Sequence, residues 1–481
     1  MENTKQNIMS NLIWRFAERC GAQLVAFLVS IVLARILMPE EYGTVALITV
    51  FTTIFQVFVD SGLGNALIQK KDADDIDFST VFYTNVIFCI VLYIIIFFLA
   101  PFIANFYGNQ KLIALTRVLG ITILISGIKN VQQAYVSKNL IFKKFFFATL
   151  AGTIGAAIVG IAMALKGFGV WAIVAQQIFN LALDTIILWI TVKWRPKKVF
   201  SFSRLKELFS FGWKLLVSAI IDTVYNNIRQ LLIGKIYSSE DLAFYNRGKQ
   251  FPTFIVNNVN NSIDSVLLPA MSKEQDDKEK VKLMTRKSIK VSVYIMAPLM
   301  MGLAFCADNV VKVVLTDKWL FCVPYLIIFC ITNMFFPIHT ANLNAIKALG
   351  RSDLFLKLEI IKKIVGIILL LLTMRISVMA MAYSLLVSSI VSQIINSWPN
   401  KKLLDYGYIQ QIKDIIPSIV MAVFMGCIVY IINFLKLSII ITLGIQIIVG
   451  AIIYILGSII LKIDSYVYIK DILRGLIKKT V

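Results

Sequence analysis

The chain has 481 residues, 58% hydrophobic and 16% charged, with a mean hydropathy of +0.80, against about 45–50% apolar and about 25% charged in ordinary globular domains. No fold in water hides that much apolar surface, which argues against soluble enzymes, disordered chains and nucleic-acid binders. The 48 Lys+Arg against 27 Asp+Glu give a net charge of +21, and these basic residues lie in short loops between apolar blocks, a mark of membrane topology.

A membrane-spanning helix needs about 20 predominantly apolar residues. Fourteen segments qualify as candidates: 12–37, 44–69, 79–104, 112–136, 145–166, 168–192, 208–234, 251–271, 291–311, 320–346, 356–374, 376–398, 414–435 and 437–461. The eighth is weakened by Asn257, Asn258, Asn260 and Asn261, and the eleventh by Lys357, Lys362 and Lys363. Met1–Ser10 is polar and no small-residue cleavage site follows the first apolar run, so no cleavable signal peptide is expected. The six cysteines (Cys20, Cys89, Cys306, Cys322, Cys330, Cys427) lie in or beside apolar runs without CxxC spacing, which predicts small core residues rather than disulfides or metal ligands.

With the N-terminus placed inside, cytoplasmic loops, tails and flanking turns hold 32 basic residues, outer loops nine, and span interiors seven. That bias predicts that both termini are cytoplasmic. The chain also repeats itself. Trp14-Arg15 opens the first span and Trp213-Lys214 the seventh, and Thr53, Gln56 and Asp60 match Asn257, Asn260 and Asp264 at an offset of 204. Six spans separate the copies, so the halves share one orientation. The expected architecture is an all-α membrane protein of about 14 transmembrane helices, in two parallel six-helix lobes plus two C-terminal helices. Its boundaries are an N-lobe at 1–193, a basic cytoplasmic linker at 194–207, a C-lobe at 208–400, and 401–481 holding the last two spans and an amphipathic tail. Lys470, Arg474 and Lys478 on one stripe of that tail predict a helix lying on anionic lipid.

Polar residues inside spans are costly and therefore candidates for function. Arg15, Glu18, Arg19, Gln23 and Ser30 form one stripe of the first span, and Lys214, Ser218, Asp222, Asn226 and Arg229 one stripe of the seventh. Thr53, Gln56 and Asp60 mark the second span, and Asn257, Asn261 and Asp264 the eighth. Such stripes are expected to line a wet cavity rather than face lipid, with Lys129, Asp184 and His339 as further candidates. Arg15, Arg19, Lys214, Arg229, Asn257, Asn261 and Lys129 form the expected substrate-binding set. Glu18, Asp60, Asp222, Asp264 and His339 form the expected ion-coupling set. Two readings stay open for several of these. Arg15, Lys129 and Lys214 either line the cavity or snorkel to headgroups; Arg35 and Arg117, nearer the outer ends, fit snorkelling better. Asp60 and Asp264 either couple to ions or pair with nearby cations, and His339 is either a packing residue or a proton site. With one histidine and no HExxH, Walker or GxSxG motif, no catalytic set, cofactor or metal is expected. Gly167-Phe168-Gly169 reads as a tight turn between helices.

The stretches SIVLARILMPEEYGTVALITVF, VFVDSGLGNALIQKKDADDIDFSTVFYTN, GFGVWAIVAQQ, SVLLPAMSKEQDD and NAIKALGRSDLFLKLEIIKK resemble the lipopolysaccharide/colanic-acid-type polysaccharide exporters of the multidrug/oligosaccharidyl-lipid/polysaccharide superfamily. The resemblance runs from about residue 10 to 415. It implies a MATE-like fold and a flippase that moves undecaprenyl-diphosphate-linked oligosaccharide across the bacterial inner membrane. The implied partners are that lipid-linked glycan, membrane lipids and polysaccharide polymerase machinery, with no nucleic acid. A diphosphate glycan suits cavity Arg, Lys and amide side chains. A drug or small-cation antiporter of the same fold, or a membrane-bound glycan polymerase or ligase, is the alternative. The antiporter is disfavoured by the cationic stripes, and the polymerase by the lack of catalytic groups in the longest outer loop, about 235–250.

Overall fold

The computed structural model describes residues 21–60 and 62–480. Arg15, Glu18, Arg19 and Cys20 lie outside them. Among the described residues every regular element is helical, as expected where each backbone polar group must be satisfied within its own segment. The chain divides after Ala243 into two compact units.

The first unit holds α1 (Gly21–Ile36), α2 (Pro39–Asp60), α3 (Leu63–Gln69), α4 (Asp75–Tyr107), α5 (Lys111–Lys138), α6 (Phe142–Leu165), α7 (Val170–Thr191), α8 (Phe202–Ile236) and the start of α9 (Ser239–Lys273). The second holds the rest of α9 and α10 (Lys278–Phe305), α11 (Ala307–Val314), α12 (Val323–Met334), α13 (Phe336–Ala348), α14 (Ser352–Thr373), α15 (Val378–Leu404), α16 (Tyr408–Ile431), α17 (Ile439–Ile460) and α18 (Asp464–Thr480).

Over its described residues, every apolar segment read from the sequence coincides largely with helix, although several are broken. The second is α2 plus α3, interrupted at Gly62, and the tenth is α12 plus α13, interrupted at Phe335 just before Pro337. Among the described residues ten stretches are long and apolar enough to cross a membrane, or eleven when α8, bent by 47° near its start, counts as one. The segments outside that count are the first, described only from Gly21, α9 with its asparagines, and α14 with Lys357, Lys362 and Lys363.

In the first unit Leu67, Phe78, Val131, Phe145 and Leu188 bring five helices, α3 to α7, onto one apolar core. Close approach is made possible by small residues, as is usual where lipid supplies no hydrophobic contrast. A Cβ at Gly43 would sit 1.6 Å from the Ser239 carbonyl oxygen, so only glycine fits there. Gly167 and Gly169 take left-handed φ values of 78° and 55°, as the tight turn requires. Cys89, Cys306, Cys322 and Cys330 are buried and free, as expected, whereas Cys427 is exposed on α16.

The basic segment 194–207 is docked, not loose. Asp74 caps α4 in a capping box with Asp77. The fully buried Asp77 carboxylate meets Lys70 at 3.2 Å and Arg204 at 3.0 Å. Pairing with Lys70 and Arg204 offsets the burial of this carboxylate. Trp194 Nε1 donates to Asp75 at 3.2 Å, and Lys197 pairs with the same carboxylate at 2.6 Å. The backbone amides of Lys197 and Ser201 donate to Ser79 and Thr80. α8, which opens the expected second half, packs on α2, α3 and α4. Packing therefore divides the chain one helix later than the sequence repeat does.

In the second unit α10 lies against α16, α12 and α13. Arg286 on α10 grips Asp414 on α16 with two bonds of 2.7 Å, and Tyr294 on α10 donates to Ser458 on α17 at 2.9 Å. The last two spans are thus fastened to this unit by polar contacts as well as apolar packing. On α18, Lys470 and Arg474 are exposed as the amphipathic reading requires, and the Lys478 side chain lies outside the description.

Candidate translocation site

The polar stripes occupy different surroundings in the two units. In the first, Gln56 on α2 donates its amide to both oxygens of Asp60 at 3.2 Å, one helical turn along. Asn130 on α5 donates to the same carboxylate at 3.4 Å and accepts from Asn85 of α4 at 3.2 Å. Asn85 and Asn130 are buried, whereas Asp60 is exposed. Three helices thus converge on one carboxylate through neutral amides.

Next to Asn130, Lys129 forms an ion pair with Asp184 of α7, their side chains 12% and 7% exposed. Asp184 Oδ1 has no hydrogen-bond partner among the described residues. Lys129, expected to meet substrate, is here committed to a carboxylate of its own unit. On α8 the expected stripe is at the surface of the first unit. Lys214, Ser218, Asp222 and Asn226 are exposed and Arg229 is half-buried.

In the second unit α9 and α13 are joined by two rungs one turn apart. Thr340 Oγ1 donates to Asn260 Oδ1 at 2.8 Å, and Asn344 Nδ2 donates to Asp264 Oδ1 at 2.7 Å. Asp264 and Asn257 are exposed, and the Asn261 side chain lies outside the description. His339, beside Thr340, has Nδ1 3.1 Å from Asn396 Nδ2 and Nε2 3.4 Å from Ser389 Oγ. The ring thus bridges α13 to Asn396 and Ser389 of α15. Farther along, Asn342, Asn400 and Gln411 form a buried amide cluster joining α13, α15 and α16.

Sequence reasoning found Gln56, Asp60, Asn260 and Asp264 but not the partners Asn85, Asn130, Thr340 and Asn344. Their signal was present: each is a polar residue within an apolar helix. Asn130 lies among Lys129, Gln132 and Gln133, and Thr340 and Asn344 lie beside His339 and Asn342, so local pattern alone does not say which of them meets another helix. Among the described residues no cluster of His, Cys, Asp or Glu could hold a metal ion.

Asp60 is held by an amide from the fourth span of its half, and Asp264 by one from the corresponding span of the other. That repeated arrangement is joined by a match over residues 32–324 to the family described as "Polysaccharide biosynthesis protein". The chain belongs to this family. It is 26% identical over 357 residues to the teichuronic acid biosynthesis protein TuaB of Bacillus subtilis, covering 74% of each chain. It is 24% identical over 337 residues to the lipopolysaccharide biosynthesis protein WzxC of Escherichia coli, covering 69% of this chain and 68% of that one. In fold it is similar to the lipid II flippase MurJ in an inward closed conformation, with a TM-score of 0.75 at 16% identity over 94% of this chain and 99% of that one. An inward-facing multidrug resistance MATE family transporter of the MOP superfamily aligns with a TM-score of 0.63 at 14% identity, over 80% and 94% of the two chains. The MATE-like fold of this family member is thereby established.

Proposed function

We propose that the protein is a flippase for undecaprenyl-diphosphate-linked oligosaccharide repeat units, working by alternating access in the bacterial inner membrane with both termini cytoplasmic. It is read as a transporter rather than an enzyme, supplying lipid-linked repeats to polysaccharide polymerase machinery. The observation that carries this reading is the family match, 32–324, over a stretch containing both carboxylate–amide helices and the basic stripe of α8. The cargo is hydroxyl-rich and about doubly negative. Amides such as Asn257 and Asn261 suit the hydroxyls, and Arg15, Arg19, Lys214 and Arg229 suit the diphosphate.

The lipid tail stays in the bilayer while the head crosses. Moving two negative charges outward down an inside-negative potential of about 100 mV releases roughly 4–5 kcal/mol. Potential therefore supports the stroke, less whatever protein cations move with the head.

The test is depletion of the protein in its own host. The reading requires lipid-linked repeat units to accumulate on the inner leaflet while surface polysaccharide falls. Unchanged surface polysaccharide with no accumulation would refute it.

A further inference from the structure

Away from the polar stripes, the end of α9, the start of α10 and the start of α18 enclose two adjoining crevices of about 710 Å³ and 370 Å³ that share Leu283 and Lys287. The larger has an apolar wall of Val266, Pro269, Leu283 and Met284, with Lys273 and Lys287 on it. Val266 and Leu283 are 68% and 52% exposed. Apolar side chains left open beside lysines fit a ligand with a charged head and a hydrocarbon tail.

The charges of the two crevices do not cancel. Lys280 is taken by Glu274 at 2.9 Å, Arg286 by Asp414 at 2.7 Å, and Lys290 by Asp464 at 2.6 Å. Lys273 and Lys287 have no carboxylate partner among the described residues; Lys287 Nζ lies 5.1 Å from the Tyr468 ring centre. Two lysines therefore stay available to an anion.

We infer that this crevice is a binding site for an anionic phospholipid of the surrounding leaflet, its phosphate seated between Lys273 and Lys287 and its acyl chains lying on Val266 and Leu283. Basic pockets between transmembrane helices near the membrane surface are suited to such headgroups. The position on α9 argues for a leaflet lipid rather than the transported one. At 100° per residue, Val266, Pro269 and Lys273 lie about 140–200° around the helix from Asp264. That is the face opposite the one carrying Asn260 and Asp264. The inference needs only that the chain spans a membrane and does not depend on the cargo.

The test is native mass spectrometry of the full-length protein released from detergent with phosphatidylglycerol or phosphatidylcholine. Wild-type protein should retain phosphatidylglycerol in preference to phosphatidylcholine. Lys273→Gln and Lys287→Gln should each lower phosphatidylglycerol retention about 5-fold, and together roughly 25-fold. Lys273→Arg with Lys287→Arg should keep it, and Lys166→Gln should leave it unchanged. Equal unfolding temperatures of the Gln variants and wild type in phosphatidylcholine nanodiscs would show that the loss is one of binding. Equal retention by wild type and the double Gln variant overturns the site. Displacement of the lipid by inorganic phosphate alone, or by undecaprenyl diphosphate in preference to phosphatidylglycerol, overturns its assignment to a leaflet lipid. Transport is not the readout, so failure here leaves the flippase reading untouched, and the reverse holds.

Discussion

Asn344 donates its side-chain amide to Asp264 across 2.7 Å, joining α13 to α9 on the exposed flank of the second unit. A hydrogen bond to a charged group contributes about 1.5–3 kcal/mol, so this pair stabilises one arrangement of the two helices. Asn344→Asp sets two carboxylates against each other and should lower the unfolding temperature in detergent. Adding Asp264→Asn restores one charge and one amide at the contact and should recover most of the loss. A double variant no more stable than Asn344→Asp would show that the bond contributes nothing.

In the pair Lys129–Asp184 the carboxylate is buried and the lysine side chain is only 12% exposed. Removing one partner from such a pair strands a charge at a cost of about 3–5 kcal/mol, whereas replacing both with apolar residues is often neutral. Lys129→Met alone should therefore destabilise the protein strongly, and Lys129→Met with Asp184→Leu should recover most of it. If the double variant is stable but inactive, Lys129 acts on substrate as well as on structure.

Arg229 is half-buried at the end of the exposed polar stripe of α8. Arg229→Gln should leave the protein in the membrane while lowering surface polysaccharide, with lipid-linked repeats accumulating inside. Arg229→Lys should restore part of the activity, since charge is kept while the bidentate fork is lost. Normal polysaccharide from the Gln variant would remove Arg229 from the site.

Asp60 is exposed and, among the described residues, accepts hydrogen bonds from the side-chain amides of Gln56 and Asn130. In vesicles with an imposed pH gradient and no potential, Asp60→Asn should bind substrate and lose the response to the gradient. A full response in that variant would assign Asp60 to helix packing alone.

The basic-residue bias places Ser203 and Ser272 inside and Asn109 outside. Single cysteines there, in a background with the exposed Cys427 replaced by serine, test the topology with an impermeant thiol reagent on intact cells. Asn109→Cys should label, and Ser203→Cys and Ser272→Cys should not. Labelling at either inner position would reverse the map.

Composition and periodicity determined that this chain is a bundle of apolar helices, because a lipid solvent leaves the backbone few other choices. They also located the turns at Gly167-Phe168-Gly169 and the polar stripes, since a 3.6-residue period survives in any context. Hydropathy could not decide how many segments span, because α9 and α14 carry polar residues whose cost depends on what they face. Nor could it pair Asp60 with Asn130 or Asp264 with Asn344, because the period within one helix does not say which other helix a polar residue will meet. Tertiary structure alone showed that the basic segment 194–207 is clamped to the start of α4 by Asp75 and Asp77. Opposite charges more than a hundred residues apart find each other only after the helices between them have packed.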